Sequence, residues 1–435
     1  MGKYFGTDGI RGRVGIELNN SIAFKLGQSL KSVLGTDRLV VGMDTRESGS
    51  ELLYSVTSGA QSMGIDVMIA GVVSTPLISH YSKQKGITGV MITASHNPFT
   101  DNGLKVFNKG NKLFEKEELA IEKFIDDKEK FDIKTIGKTF SGEEVLDLYV
   151  DLMESLELEE VDLRVGYDSA NGANYLISKG IMDELCVESY QIGNQPDGKN
   201  INKGVGSTHL EAIKNLVLDK SLDIGLSFDG DGDRILVVDE HAKEIDGDLL
   251  IYIMATYLKE QGRLNKDTVV LTKMSNLGVI KAFEQQGIKV VITDVGDKYV
   301  LEELNKNQYS IGGENSGHII LRDYINTGDG LLVGAYLLKI LKESNKTLNE
   351  LTNDVTMWPQ KMVNIKTYKK ESLQDQRVIT VINDITNTLG TDGKVLVRAS
   401  GTEPLIRVTL SCELESDLDT YMEQIVSKIK EVMED

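Results

Sequence analysis

Long apolar runs and cysteine are both scarce in this 435-residue sequence. No stretch of about 18 uninterrupted apolar residues is present, and the opening segment MGKYFGTDG lacks the charged and apolar regions of a secretion signal. The two cysteines, Cys186 and Cys412, are far apart and lack metal-ligand spacing, which argues against a disulfide framework and a zinc site. We therefore expect a soluble, unprocessed protein of the reducing cytoplasm.

Positive charge is also in short supply. The chain has 48 lysine and arginine residues against 67 aspartate and glutamate residues, which gives a formal net charge of −19. Because nucleic acids and anionic membranes would repel such a chain, we expect neither as a partner. An anionic substrate would instead need a local cluster of arginine, lysine and backbone N–H groups.

A pattern of strands and helices occurs three times along the chain. In each unit an apolar, strand-like run is followed by a helical stretch, a second run, another helical stretch, and a third run that ends in a polar turn. This alternation predicts α/β domains with mixed, mostly parallel sheets, whose ligands bind beyond the carboxyl ends of the strands. The third runs with their turns are GVMITASHNP, DIGLSFDGDGDR and YSIGGENSGH.

The remainder of the chain, beyond Trp358 and Pro359, has a different pattern. It contains the strand-like runs MVNIKT, KVLVRAS and IRVTLSC, and it ends in a helical stretch from Ser416 whose apolar residues share one face. We therefore predict three successive α/β domains and a smaller C-terminal α+β domain. A charged stretch at 115–138 is interpreted as a solvated helix and loop. The predicted domain boundaries are 1–140, 141–243, 244–357 and 358–435.

Metal binding is the chemistry that the motif DGDGDR indicates most directly. Asp229, Asp231 and Asp233 would lie on one side of an extended segment, and the intervening glycines permit tight curvature around a small ion. Hard oxygen ligands with a place left for substrate are typical of Mg²⁺. A calcium-binding EF-hand is disfavoured because Arg234 stands where that motif requires glycine, and an acidic surface turn remains the simpler alternative.

Ser95 follows the apolar run GVMI and is the candidate nucleophile. Its neighbour His96 suggests a serine hydrolase, but adjacent side chains of an extended segment point apart, and no G-x-S-x-G motif is present. Pro98 and the residue before it, Asn97, stiffen the turn. Ser95 is either an ordinary turn serine or, beside a Mg²⁺ site, the carrier of a phosphoryl group.

Two further motifs could bind the anionic group of a substrate. In RASGTEPLIRV, Arg398 and Arg407 bracket a turn of hydroxyl and backbone N–H groups that suits a phosphate dianion. The motif FGTDGIRG offers Arg11 and several glycines and is a weaker phosphate signal. A turn without a ligand remains the alternative in both cases. The turn between Arg398 and Arg407 includes Ser400, Gly401 and Thr402.

The motif GGENSGH combines a carboxylate, an amide, a hydroxyl and an imidazole on a flexible backbone. These groups belong to Glu314, Asn315, Ser316 and His318. Such a set suits the neighbouring hydroxyl groups of a sugar, whereas one carboxylate and one imidazole offer too few ligands for a metal. A polar turn satisfied within the protein is the alternative.

Together the motifs FGTDGIRG, TASHNP, DGDGDR, GGENSGH and RASGTEPLIRV span the whole chain, and in this order they closely resemble the α-D-phosphohexomutase superfamily. The resemblance implies four domains around a central cleft, which contribute a phosphoserine loop, a metal loop, a sugar loop and a phosphate loop. Within the superfamily, the early position of FGTDGIRG and the form DGDGDR are most similar to bacterial enzymes of glucosamine phosphate. Asn315 is one departure, since those enzymes usually have GEQSGH.

The resemblance also implies a role for each matching residue. Ser95 would be the phosphoserine and would complete a Mg²⁺ site with Asp229, Asp231 and Asp233. Lys105, in DNGLKVF, matches a lysine implicated in proton transfer. The candidate catalytic residues are Ser95, Lys105, Arg11, Arg234 and His96. The candidate substrate-binding residues are Glu314, Asn315, Ser316, His318, Arg398, Ser400, Gly401, Thr402 and Arg407.

The implied activity is the interconversion of glucosamine 6-phosphate and glucosamine 1-phosphate. Glucosamine 1,6-bisphosphate would be the intermediate, with either it or glucose 1,6-bisphosphate as activator, and Mg²⁺ the cofactor. A small phosphosugar is the expected partner, with a homodimer as a candidate assembly. The alternatives are phosphoglucomutase or phosphomannomutase activity on the same residues, a serine hydrolase, and a non-catalytic sensor of sugar phosphates.

Overall fold

The computed structural model describes residues 2–6, 8–127, 135–399 and 404–434. The chain divides into two compact units, of which the first comprises Met1–Lys273 with Val291–Leu351 and the second Met274–Val290 with Thr352–Asp435. In the described ranges, no helix combines the length and the apolar character that crossing a bilayer requires.

The secondary structure follows the strand and helix repeat that the sequence predicts. The strands are β1 (Ile10–Arg13), β2 (Arg38–Met43), β3 (Asp66–Val72), β4 (Thr88–Ile92), β5 (Asp101–Asn108), β6 (Asn111–Lys112), β7 (Thr139–Ser141), β8 (Val161–Asp168), β9 (Cys186–Ile192), β10 (Ile224–Phe228), β11 (Ile235–Asp239), β12 (Glu244–Ile245), β13 (Thr268–Thr272), β14 (Lys289–Thr293), β15 (Ile311–Gly313), β16 (Ile319–Leu321), β17 (Gln360–Lys366), β18 (Gly393–Ala399) and β19 (Leu405–Cys412). The helices are α1 (Asn20–Leu34), α2 (Gly49–Ser62), α3 (Thr75–Lys85), α4 (Glu115–Asp126), α5 (Glu144–Glu154), α6 (Ile177–Leu185), α7 (Glu211–Lys220), α8 (Gly247–Glu260), α9 (Leu277–Gln285), α10 (Asp297–Asn307), α11 (Gly330–Ser344), α12 (Leu348–Leu351), α13 (Gln376–Leu389) and α14 (Glu415–Glu434).

The three larger sheets share one arrangement. In each, the third strand of the sequence repeat neighbours the first, and the first neighbours the second, so that the strand orders contain β4-β2-β3, β10-β8-β9 and β15-β13-β14. The pairs β2–β3, β2–β4, β8–β9, β8–β10 and β13–β15 are parallel. The predicted α/β fold with mixed sheets is therefore confirmed.

Each third strand is followed directly by an antiparallel strand, which the sequence pattern did not indicate. β4 pairs with β5, β10 with β11, and β15 with β16. Antiparallel neighbours need only a short connection, whereas parallel neighbours need a long crossover. The polar turns are therefore held between two paired strands, at residues 93–100, 229–234 and 314–318.

Continuous apolar runs place the third strands in the interior. β4 and β10 are buried along their whole length, as expected of strands that are covered on both faces. The surrounding helices have ordinary end signals. The side chain of Asn19 accepts a hydrogen bond from the N–H of Ile22 at the start of α1, and Gly35 ends that helix in a left-handed conformation.

The second unit contains an antiparallel sheet in the order β17-β19-β18, against which α13 and α14 pack. The predicted apolar face of the closing helix is confirmed, although α13 has no counterpart in the sequence prediction. The buried residues of α14 are Leu418, Met422, Ile425 and Ile429, with Val426 partly buried beside them.

The charged helix α4 is less solvated than its composition suggests. Glu122 is buried and accepts three backbone hydrogen bonds from the N-terminal segment, while Ile121 and Ile125 pack in the core. The donors are the N–H groups of Lys3, Tyr4 and Phe5, at 2.8, 2.6 and 2.7 Å. The interpretation of 115–138 as solvated is wrong for this helix, and residues 128–134 lie outside the described ranges.

Asp329 caps α11 and makes the stability of the fold depend on pH. Its buried carboxylate accepts hydrogen bonds from the N–H of Leu332 at 3.1 Å and from the hydroxyl of Tyr149 at 2.9 and 3.0 Å. Burial raises the pKa of Asp329 from 3.8 to about 7. The folded protein therefore holds a proton that the unfolded chain has lost between these pH values. The free energy of unfolding should fall as the pH rises through this window, by up to about 4 kcal/mol.

Asp329→Asn is expected to remove this pH dependence, because the amide stays neutral and can still accept from the same donors. Denaturant unfolding at pH 5 and pH 8 measures it, with the exposed Asp162→Asn as a control. Relative to the wild type, Asp329→Asn should gain stability at pH 8 and show little gain at pH 5. An equal difference at both pH values would contradict the prediction.

Candidate active site

The turn between β4 and β5 places Ser95 against the acidic motif. Ser95 is buried and has a left-handed backbone conformation, with φ of 52°, which residues other than glycine rarely adopt. Its hydroxyl donates a hydrogen bond to Oδ2 of Asp229 at 2.6 Å and lies 3.3 Å from Nδ1 of His96. The structure thus brings the candidate nucleophile into contact with an aspartate 134 positions away in the sequence.

Asp229, Asp231 and Asp233 form a buried cluster in which one oxygen from each lies within 4.8 Å of the others. Burial raises the pKa of Asp229 well above its usual range, and the charges of the other two carboxylates add to this effect. Oδ1 of Asp231 and Oδ1 of Asp233 have no hydrogen-bond partner among the described residues. Buried carboxylate oxygens at this spacing fit a divalent cation. In the described part of the chain, this is the one cluster of its kind.

The ammonium group of Lys105 lies among these carboxylates. Nζ is 2.7 Å from Oδ2 of Asp231 and 2.9 Å from Oδ2 of Asp233. It is also 3.0 Å from Oδ2 of Asp8. Burial alone would lower the pKa of Lys105, but the three carboxylates raise it well above its usual range. In this arrangement Lys105 is a fixed cation, and proton transfer by Lys105 stays a prediction.

Three charged residues of this network escaped the sequence analysis. Asp8 lies within FGTDGIRG and accepts a hydrogen bond from Nζ of Lys112 at 2.5 Å, and Lys112 also pairs with Asp297. Burial would raise the pKa of Asp8, but Lys105, Lys112 and Arg11 hold it well below its usual range. The motif could have drawn attention to Asp8. Lys112 and Asp297 stand in no motif, so their partnership is visible only in the fold.

His318 faces the charged network from the loop GGENSGH. Its Nε2 accepts a hydrogen bond from the N–H of Gly328 at 3.0 Å and lies 3.3 Å from Oδ2 of Asp297. Its Nδ1 lies 3.7 Å from Oδ2 of Asp233. Because the ring is buried and both nitrogens face protein groups, the geometry favours a role in holding Asp233. A direct sugar contact of His318 stays a prediction.

Backbone hydrogen bonds fix the rest of this loop beside the acidic motif. The N–H of Gly247 donates to the carbonyl of Asn315 at 3.0 Å, and the N–H of Ile235 donates to the carbonyl of Gly317 at 3.1 Å. Ile235 directly follows the motif DGDGDR. The loop expected to bind sugar and the loop expected to bind metal are therefore coupled through one strand, β11.

The side chains of Glu314 and Ser316 are partly buried in the same loop. The N–H of Gly296 donates to Oε1 of Glu314 at 3.1 Å. The hydroxyl of Ser316 has no hydrogen-bond partner within the described ranges. One carboxylate oxygen and one unpartnered hydroxyl are the groups that this loop can offer to a ligand.

His96, Arg234 and Arg11 surround the turn that carries Ser95. Burial lowers the pKa of His96 to about 4, and the charges of the two arginines contribute, so its imidazole is neutral at physiological pH. Among the described residues, no carboxylate pairs with His96 to orient it as the base of a hydrolase triad. Nε of Arg234 is buried without a hydrogen-bond partner in the same part of the chain, whereas Arg11 pairs with Asp8.

The arginines of RASGTEPLIRV lie in the second unit. Arg398 on β18 and Arg407 on β19 are register partners in the antiparallel sheet, which puts both side chains on one face. Two guanidinium groups on one face can bind a dianion. The predicted contacts of Ser400, Gly401 and Thr402 lie outside the described residues.

A strand-end serine against a three-aspartate cluster, with a hydroxyl-directed loop beside it, defines a class of α/β enzyme that transfers phosphoryl groups. The comparison with known families gives the particular one. The chain belongs to the phosphoglucomutase/phosphomannomutase family, which confirms the resemblance drawn from the motifs. The models for its alpha/beta/alpha domains I, II and III match residues 2–132, 147–243 and 246–357, and the model for its C-terminal domain matches 362–428. The exact domain boundaries stay a prediction.

Relatives of similar length carry a more specific name. The chain is 44% identical over 445 residues to the phosphoglucosamine mutase of Anoxybacillus flavithermus, and 99% of each chain is covered. It is 43% identical over 451 residues to the phosphoglucosamine mutase of Lactococcus lactis subsp. cremoris, again with 99% of each covered.

Solved structures share the fold at lower identity. A phosphoglucomutase/phosphomannomutase family protein from Burkholderia thailandensis superposes with a TM-score of 0.82 at 22% identity, covering 98% of this chain and 97% of its own. The N-acetylphosphoglucosamine mutase of Aspergillus fumigatus, solved with GlcNAc-6P and magnesium, superposes with a TM-score of 0.71 at 16% identity, covering 99% and 96%.

Proposed function

We propose that this protein interconverts glucosamine 6-phosphate and glucosamine 1-phosphate, as a phosphoglucosamine mutase. The observation that carries the proposal is the 2.6 Å hydrogen bond from Ser95 to Asp229, within a buried cluster of three carboxylates that fits a cation. A phosphoryl group on Ser95 would be next to that cation. The 44% identity to the phosphoglucosamine mutase of Anoxybacillus flavithermus supports the choice of sugar.

Two phosphoryl transfers complete the reaction. In the first, the P–O bond to Oγ of Ser95 breaks as a P–O bond to O1 of glucosamine 6-phosphate forms, and the O1 hydroxyl releases its proton. The product, glucosamine 1,6-bisphosphate, turns end for end. In the second transfer, its 6-phosphoryl group passes to Ser95, O6 takes up a proton, and glucosamine 1-phosphate leaves. The serine is phosphorylated again, so the net reaction is an isomerisation.

The residues of the chain position the substrate and balance charge. Mg²⁺, when bound by Asp229, Asp231, Asp233 and the phosphate on Ser95, would neutralise negative charge at the transferring group. Lys105, Arg234 and Arg11 add fixed positive charge on the same side. Glu314, Asn315, Ser316 and His318 form the sugar loop, and Arg398 and Arg407, with Ser400, Gly401 and Thr402, bind the phosphate that does not react.

The proposal places the protein in amino sugar metabolism. A cytoplasmic enzyme of this kind would take small phosphosugars as its partners and glucosamine 1,6-bisphosphate or glucose 1,6-bisphosphate as its activator. Its product would supply the synthesis of UDP-N-acetylglucosamine and of cell-wall precursors. A homodimer stays a prediction. Structures of the family with GlcNAc-6P and with glucose 1,6-bisphosphate support phosphosugar binding.

The specificity constant kcat/KM is expected to be higher for glucosamine 6-phosphate than for glucose 6-phosphate or mannose 6-phosphate. The physical reason is that a site that hydrogen-bonds an amino group is left with an unpaired polar group when that substituent is changed. Coupled assays with the three sugar phosphates measure this order, and Asn315→Gln, which restores the sequence GEQSGH, is the matched variant. A preference for glucose 6-phosphate in both proteins would favour phosphoglucomutase activity instead.

A further inference from the structure

Arg46 is a buried arginine whose guanidinium group is devoted to the turn that carries Ser95. It lies shortly after β2, in the sequence DTR. All five of its N–H groups are used, one toward Asp44 and four toward backbone carbonyls of residues 95–101. The four carbonyl acceptors are those of Ser95 and Asn97 (both 2.9 Å from Nη2), Asp101 (2.9 Å from Nη1) and Pro98.

Asp44 fixes the orientation of this guanidinium. Its Oδ2 accepts from Nε of Arg46 at 2.8 Å and from the hydroxyl of Thr93 at 2.7 Å, and its Oδ1 accepts from the backbone N–H of Arg46 at 3.0 Å. The side chains of Asp44 and Arg46 are both fully shielded from solvent. Such a charge pair holds a defined geometry because neither partner has water to turn to.

Asn202 approaches the same carbonyls from another loop. Its Nδ2 donates to the carbonyl of Ser95 at 2.9 Å and to that of Asn97 at 3.3 Å. Its own backbone is held by a hydrogen bond from its N–H to the carbonyl of Ala170 at 2.9 Å. The carbonyl of Ser95 is therefore gripped by two donors, one from Arg46 and one from Asn202.

These contacts coincide with backbone strain at Ser95. A left-handed φ of 52° is unfavourable for serine and persists only where the surroundings impose it. Fixing the carbonyl of Ser95 fixes its peptide plane, and with it the direction in which Oγ leaves the backbone toward Asp229. The donors therefore control the aim of the side chain without touching its hydroxyl.

We propose that Arg46 and Asn202 are positioning residues, which hold Ser95 in the conformation that aims its phosphoryl group at the sugar hydroxyl. The inference rests on the proposed role of Ser95 as phosphoryl carrier. It assigns Arg46 and Asn202 to the speed of transfer and leaves substrate affinity to other residues.

The test uses Arg46→Lys, Asn202→Asp and Asn202→Gly in the full-length protein. Lysine has three N–H donors and cannot serve five acceptors. Aspartate has the shape of asparagine but turns the donor into an acceptor, and both aspartate and glycine tolerate the left-handed backbone of Asn202, whose φ is 57°. Arg164→Lys, in a solvent-exposed pair with Glu188, is the matched control.

Three quantities are measured: kcat, KM, and the rate at which glucose 1,6-bisphosphate phosphorylates Ser95, followed by intact mass. For the Arg46 and Asn202 variants we expect kcat and the phosphorylation rate to fall by about 10²-fold, the cost of a misplaced reacting group. KM should change little, and Asn202→Asp should be slower than Asn202→Gly. Arg164→Lys should match the wild type.

The outcomes separate the two hypotheses. If the Asn202 variants fold and keep wild-type kcat and phosphorylation rate, or lose activity through KM alone, the positioning role is overturned, whatever Arg46→Lys does. Should Arg46→Lys fail to fold, the Asn202 variants still decide, since they leave the buried pair with Asp44 intact. If the wild type itself takes no phosphate on Ser95, the proposed function fails instead.

Discussion

Ser95→Ala is expected to leave no measurable mutase turnover and no phosphate on the protein after incubation with glucose 1,6-bisphosphate. The reason is geometric, because the hydroxyl of Ser95 lies 2.6 Å from a carboxylate of the candidate metal cluster at the end of a central strand. Without an oxygen at this position, no group on this turn can accept and return a phosphoryl group. Coupled assay and intact mass measure the two losses.

Ser95→Gly separates chemistry from backbone strain. Glycine adopts the left-handed conformation of Ser95 without cost, so this variant should fold at least as well as Ser95→Ala and be just as inactive. Ser58→Ala, an exposed serine on α2, should behave as the wild type. Thr75 offers the one competing test, since its hydroxyl bonds to Asp231 in the same cluster. Phosphate found on Thr75, or retained by Ser95→Ala, would contradict the assignment.

Sequence alone could predict the polar turns because each is a local feature. The runs GVMI and DIGLSF are continuous and apolar, and the residues that follow them are polar and rich in glycine, so both the strand and its end are written in neighbouring residues. The return strands β5 and β11 were harder to foresee, because a parallel and an antiparallel neighbour present similar apolar patterns. Their pairing depends on which strand edge is free when the chain turns back.

The helix α13 illustrates a different limit. Its sequence QRVITVINDITNTL is rich in β-branched residues, which favour strands by intrinsic preference. In the structure Val378 and Ile385 are buried a helical repeat apart, and Asp375 caps the helix by accepting from the N–H of Arg377. Packing on the sheet of the second unit thus outweighs local preference.

The charged network could be predicted only in part. The spacing of DGDGDR is sufficient to place three carboxylates together, since the ligands are two residues apart. Lys112 and Asp297 are separated by 185 positions, and nothing in either neighbourhood indicates the other. The same holds for the contact of Arg46 with the Ser95 turn, because a single buried arginine carries no periodic or spacing signal.

Asp231→Asn is expected to abolish the response of the protein to Mg²⁺ and to reduce turnover by more than about 10²-fold. The variant keeps the size of the side chain but removes one of three negative charges from a cluster whose oxygens lie within 4.8 Å of one another. In the wild type, Mg²⁺ at a hundred times its Kd should stabilise the fold by about 2.7 kcal/mol, because it binds the folded state alone. Thermal unfolding with and without Mg²⁺ measures the gain.

Asp162→Asn is the matched control, since Asp162 is exposed and outside the cluster. It should keep the full Mg²⁺-dependent gain, and EDTA should remove that gain from the wild type and from this control alike. A wild type that turns over equally fast in EDTA would contradict a metal role for the cluster. The three carboxylates would then need another source of positive charge, and Lys105, already 2.7 Å from Asp231, is the cation in place to supply it. Comparison of Asp231→Asn with Lys105→Met in EDTA would show which charge the phosphoryl group depends on.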